Sequence, residues 1–145
     1  MVTSTTRERI DLNLRAVVEA AVAMELPTVL CTVAVEMGVN KPLVDVITDR
    51  MGDQPVIDRT GINAMENPDF ARAVRASDRR QVVIGGLWTE VCVAYPALDP
   101  IGKGYEVFAV VDAIGGISPT SHAMGVERMV QAGVQPIPAS STPPR

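Results

Sequence analysis

Histidine is almost missing from this sequence: His122 is the only one in 145 residues. That excludes a multi-histidine metal cage and the HxH and HExxH zinc patterns, so no metal is expected. Cysteine is nearly as scarce. Cys31 and Cys92 stand far apart in a chain patterned for strands and helices. They fit neither a disulfide framework nor a zinc site, and suit a reducing, cytoplasmic setting. Aromatic residues make up 3% against 47% hydrophobic, so the core must be aliphatic. Positive charge is in deficit, with 13 Lys and Arg against 17 Asp and Glu and a net charge of −4, which excludes a nucleic-acid-binding surface. No apolar run approaches the roughly 18 residues of a membrane span. The opening MVTSTTRERID is too polar for a signal peptide. The glycine pairs at 85–86 and 115–116 form neither GxGxxG nor a P-loop, so no nucleotide cofactor is expected. Without a GxSxG elbow, Cys92 is left as the candidate nucleophile.

What is present is a regular alternation. The length suits one domain, read here as residues 1–139 with a flexible tail at 140–145. Thr5-Thr6-Arg7-Glu8 fits a capping box, and Ile10, Leu14, Val17, Ala21 and Met24 follow at helical spacing to about Glu25. Thr28 to Val35 reads as a buried strand with Cys31 as a core residue. Pro42 can open a short helix through Asp49. Gln54 to Asp58 is a strand delivering Arg59 at its carboxyl end. Asn67-Pro68 is an N-cap and first-position pair for the next helix. Tyr105 to Val111 is another strand, ending in Asp112-Ala113. Ser118 or Thr120 can cap a helix through Gln131, which Gly133 closes. Val134 to Ala139 holds two prolines and is confined to an edge. Five strands alternating with helices predict a parallel sheet covered on both faces.

The segment Gln81 to Leu98, QVVIGGLWTEVCVAYPAL, carries the chemistry. Its apolar start reads as a strand. Thr89 stands where an N-cap would, Glu90 falls in the first turn, and Pro96 should kink the helix. Cys92 then lies near a helix N-terminus at the carboxyl end of a parallel strand. Open α/β sheets place ligands there, and a thiol there tends to be activated. Position alone leaves two readings open, a reactive thiol and a small buried hydrophobe. A Cys92–His122 dyad is open as well, against a capping or surface role for His122.

These residues carry a resemblance. Gly86 to Leu98 resembles the nucleophile segment of the isochorismatase-like cysteine hydrolases, in the bacterial branch with a T-E-V-C-V-A-x-P-A-L motif. Arg59 with Gly61-Ile62-Asn63-Ala64, and then Asn67 and Asp69-Phe70, is similar to the family's basic-residue loop. Gly104 to Phe108, Asp112-Ala113 and Arg128 to Gly133 extend the similarity over nearly the whole chain. The resemblance implies a Rossmann-like three-layer α/β/α fold with a mostly parallel sheet. It implies hydrolysis of a small amide or related C–N bond through a thioester on Cys92, with Arg59 holding positive charge near the sulfur. The backbone N–H groups of Trp88 and Cys92 would form the oxyanion hole, after a cis Leu87–Trp88 bond. Asn63, Glu90 and Trp88 are candidates for lining the pocket. Partners would be a small-molecule substrate and further copies of the chain, with no nucleic acid, membrane or cofactor.

One departure is expected. The family's third catalytic residue is an Asp at the end of its first, central strand, and the sequence aligns only from the loop after that strand. Asp11 belongs inside the first helix and cannot inherit the role. The two strands around Cys31 and Val83 would each lack a ladder partner. They would close up directly, be covered by a neighbouring subunit, or mark a truncated product. The contrasting function is a non-catalytic, oligomer-forming or small-molecule-binding relic of the fold.

Overall fold

Local signals place the elements of the computed structural model, which describes residues 1–141. Helix α1 (Arg7–Ala23) starts where the Thr6 side chain accepts from Arg9 N. Strand β1 (Leu30–Val33), helix α2 (Asp45–Met51) and strand β2 (Val56–Arg59) follow. A 3-10 turn (Ala64–Glu66) leads to helix α3 (Pro68–Ala76), where the Asn67 side chain accepts from both Asp69 N and Phe70 N. Strand β3 (Gln81–Leu87) runs into a π-helical turn (Thr89–Val93) and helix α4 (Ala94–Ile101). Strand β4 (Glu106–Gly115), helix α5 (Pro119–Gln131) and strand β5 (Gln135–Ile137) complete the order. Ser118 caps α5 by accepting from Ser121 N. Of the tail expected at 140–145, residues 142–145 lie outside the described residues.

All strand pairings are parallel, and the architecture is the three-layer α/β/α expected. The sheet is divided, however. β1 pairs with β2, while β3, β4 and β5 form a second sheet in that order, and β1 and β3 do not pair. Direct closure of the two flanking strands is therefore not what the chain does. Both faces of β4 are covered. Val107 and Ala109 join a buried cluster with Val93, Ala94, Ala97 and Met129, and the alternating Phe108 and Val110 are buried as well. Helix α1 reaches β4 from its own side, where the Asn13 amide donates to Asp112 O at 2.7 Å. The amino-terminal segment crosses the far end of β4, Thr3 N donating to Gly116 O and Gly116 N to Ser4 Oγ. Gly115 makes that crossing possible, since a Cβ there would meet Val2 and Ile10 side-chain atoms at 2.7 and 2.8 Å.

Several local expectations are corrected. The α1 cap is Thr6, not Thr5, and the helix ends at Ala23. Pro42 does not open α2, which begins three residues later after Val44, without a side-chain cap. Thr89 is not an N-cap: it is the first residue of the π turn, and its hydroxyl turns to His122 instead. Pro96 causes no break because it sits in the first turn of α4, where N–H groups have no intrahelical partner anyway; Pro100 is the proline inside the helix. β4 continues to Gly115 rather than stopping at Val111, with a register shift opposite Ile84 and Gly86.

Candidate active site

Parallel pairing puts Val33 opposite Arg59 and Cys31 opposite Ile57. Residues two apart on a strand share a face, so Cys31 and Arg59 are diagonal neighbours on one face of the β1–β2 sheet. Arg59 is buried, at 4% exposure. Its Nη1 donates to Ile62 O at 2.7 Å and to Gly61 O, so the loop after β2 wraps the guanidinium. Its Nε is buried without a partner. A buried cation with an unused donor needs an acceptor or an anion to offset its desolvation.

Two thiols bear on this group. Burial pushes the Cys31 thiol above the range of a free cysteine, while hydrogen bonding to Arg59 and its positive charge pull the other way; Cys92 and Asp58 add smaller upward pushes. Arg59, Cys31 and Cys92 therefore belong to one locality. Cys92 itself is half-buried in the π turn. The peptide before that turn, Leu87–Trp88, is cis. The Trp88 carbonyl accepts from Val91 N at 3.1 Å and Val93 N at 3.2 Å, closing the turn that holds Cys92.

The other candidates go elsewhere. Asn63 is engaged within its own loop, its Oδ1 accepting from Met65 N at 3.1 Å. Glu90 is turned toward the start of α5, where its Oε1 accepts from Ile117 N at 3.0 Å and its Oε2 is buried without a partner. Trp88 is partly exposed, at 36%. His122 makes no dyad with Cys92: its Nδ1 lies 2.9 Å from Oγ1 of the fully buried Thr89. Partial burial lowers the His122 pKa, and the Glu90 charge opposes this. Asp11 binds Arg7 at 2.7 Å on the α1 surface. Asp58 organises the loop after β1, accepting from Thr32 Oγ1 (2.7 Å), Val35 N (3.2 Å) and Glu36 N (2.9 Å). Those donors, led by Glu36 N, hold its carboxyl below the usual range. A cavity of about 260 Å³ lies beside this loop, between Thr32, Glu36, Leu43 and Thr48, and neither cysteine lines it.

Sequence reasoning missed Cys31 as a neighbour of Arg59. The signal was available only through the parity of two strands and their register, and register is not local information. Among the described residues, no group of three or more His, Cys, Asp or Glu is placed to hold a metal ion, and no helix is long and apolar enough to cross a membrane.

With this geometry in place, known proteins were compared. A family model described as the isochorismatase domain matches residues 2–141. Probable hydrolase YcaC of Escherichia coli (strain K12) is 43% identical over 124 residues, which are 85% of this chain and 59% of that protein. This chain thus spans well under two-thirds of that curated relative. Among solved structures, YcaC from Pseudomonas aeruginosa aligns with a TM-score of 0.90 and 37% identity, covering 95% of this chain and 68% of that one. The YcaC gene product of Escherichia coli, described as an octameric hydrolase of unknown specificity, aligns with a TM-score of 0.89 and 40% identity over 94% of this chain and 67% of its own.

Proposed function

The chain belongs to the isochorismatase family, and on that premise we propose that it is a cysteine hydrolase of small amides, with Cys92 as nucleophile and Arg59 as its electrostatic support. The supporting observation is the buried Arg59 with an unpartnered Nε beside two thiols. A guanidinium that cannot lose its proton favours a thiolate nearby. In the proposed reaction Cys92 Sγ bonds to the amide carbonyl carbon, the C–N bond breaks, and the amine leaves with the thiol proton. Water then hydrolyses the thioester, releasing the acid and restoring the thiol. The backbone N–H groups of Trp88 and Cys92 would stabilise the oxyanion of each tetrahedral intermediate. The Pseudomonas aeruginosa relative has been solved with covalent acrylamide. Acrylamide is an electrophile that thiolates attack, and Cys92 is the group on this chain suited to the same reaction.

The proton acceptor limits the proposed activity. Among the described residues Asp58 is saturated by three donors, Glu90 is turned to α5, and Asp11 is paired with Arg7. We read the division between β1 and β3 as the position of the family's first strand, whose Asp would take the proton. Turnover by residues 1–145 is then expected to be weak, and assembly with further copies, as in the octameric relative, is the proposed cover for the open edges. The divided sheet also favours the second reading, a non-catalytic relic of the fold.

Alkylation followed by mass spectrometry separates the two readings. Iodoacetamide should modify Cys92 faster than Cys31, and Arg59→Ala should slow Cys92 about tenfold, equivalent to about 1.4 kcal/mol of lost charge stabilisation. Cys31→Ser supplies the background. If Cys92 reacts like an ordinary exposed thiol in both proteins, the hydrolase reading fails and the relic stands.

A further inference from the structure

At the opposite edge of the β3–β4–β5 sheet lies a second cavity, of about 370 Å³. Four cations line it: Arg75 from the last turn of α3, Arg79 and Arg80 from the loop into β3, and Lys103 from the loop into β4. Asp78 is the only acid on its wall, and Tyr105 and Met65 supply apolar surface. In a chain carrying 13 cations against 17 acids, four positive groups around one cavity run against the overall balance. Among the described residues Arg75, Arg79 and Arg80 form no salt bridge, whereas Lys103 is held by Asp99 at 2.9 Å. Arg75 suits the carboxyl end of α3, but the helix dipole does not account for Arg79 and Arg80, which lie beyond it.

The cluster is also shaped. Asp78 adopts φ +51°, reversing the chain directly after α3. Arg80 O then accepts from Glu106 N at 2.8 Å, which pins the loop to the start of β4. The Arg80 guanidinium lies over the Tyr105 ring, 5.4 Å from its centroid, a cation–π contact that limits its freedom. Glu106, the nearest further acid on this edge, accepts from the Gln81 amide at 3.0 Å. Guanidinium groups held as a fork match phosphate oxygens two at a time. The seven residues of β3 separate this edge from the Cys92 turn by roughly 20 Å, and substrates of open α/β sheets bind at the other, carboxyl end.

We propose that Arg75, Arg79, Arg80 and Lys103 form a binding site for a small phosphate-type polyanion, separate from the Cys92 site. A diphosphate group fits the charge better than a monoanion, because four cations face one carboxylate. The cavity falls within the size range of small-ligand sites and is too local for a nucleic-acid track.

Calorimetric titration of the full chain with inorganic pyrophosphate tests this, with acetate as the control anion. One saturable site is expected, weakening as salt is raised. Arg79→Gln combined with Arg80→Gln should weaken binding at least about tenfold, with an unchanged melting temperature because both side chains are exposed. Cys92→Ser should bind as the parent does. Absence of saturable binding at millimolar pyrophosphate overturns the proposal. So does equal binding of acetate, which reports charge screening alone, and so does loss of binding in Cys92→Ser, which places the anion at the thiol instead.

Discussion

Strands β4 and β1 are both apolar, yet seven of the ten β4 residues are buried and none of the four in β1 is. The difference is coverage, not composition. β4 has a strand on each side and helices over both faces, whereas β1 has one strand neighbour and an open edge. β3 is intermediate, paired on one side only, and leaves Val83 and Leu87 at 38% and 47% exposure. The part of the molecule with a complete core thus supports the Cys92 turn, while Arg59 comes from the less covered part. The candidate site lies where the two meet.

This contrast can be broken or sharpened by experiment. Phe108→Ala removes a fully buried ring from β4 and should cost about 3–5 kcal/mol in denaturant unfolding. Ile57→Ala on the partly exposed β2 should cost less than half as much; equal costs would end the distinction between the two parts. Native-state hydrogen exchange should agree, with β4 amides far slower than those of β1.

Gly125→Ala comes next. Its Cβ would lie 2.9 Å from Glu90 Cα and 3.1 Å from Glu90 N, backbone atoms of the Cys92 turn that cannot swing aside. A loss of about 1–3 kcal/mol is expected despite the better helix propensity of alanine, together with slower Cys92 alkylation. Gly61→Ala, with nothing within 4 Å of its Cβ, should be close to neutral. Asn67→Ala removes the cap that serves two α3 amides and should cost about 1 kcal/mol, leaving Cys92 chemistry unchanged.

The smallest effects are in pH dependence. His122 has a lowered pKa, chiefly through partial burial, so its contribution to stability is complete above 6.5 and is lost as pH falls from there to its folded value. Asp58 is lowered by its hydrogen-bond donors, so its contribution is complete above 3.8 and disappears as pH falls through its lower folded value. Melting curves of His122→Gln and Asp58→Asn should each flatten only their own window. Cys31 has the opposite sign: its raised pKa gives a term present below 9.0 and lost as pH rises beyond it.

Much of this was legible in the residues. Asn67-Pro68, Ser118 and the apolar runs at 81–87 and 106–111 announce their elements, because caps and run lengths act within a few residues. Pro96 and Thr89 misled for a related reason. Each suits a helix boundary, but the turn around Cys92 is π-helical, closed by Trp88 O and by a hydroxyl partner 33 residues away. A threonine's choice between capping and a distant histidine is invisible until the fold brings the two together.

The sequence by itself determined that this chain makes short parallel strands between helices, with an aliphatic core and a thiol just beyond the end of β3, since propensity, capping and apolar periodicity are local properties. The tertiary structure alone decided that the strands divide into two sheets. It also placed Cys31 and Arg59 on one face, turned His122 to Thr89, and gathered four cations at the far edge of the sheet. The physical reason is that pairing and register are settled by contacts between residues distant along the chain, where a single step changes which side chains meet.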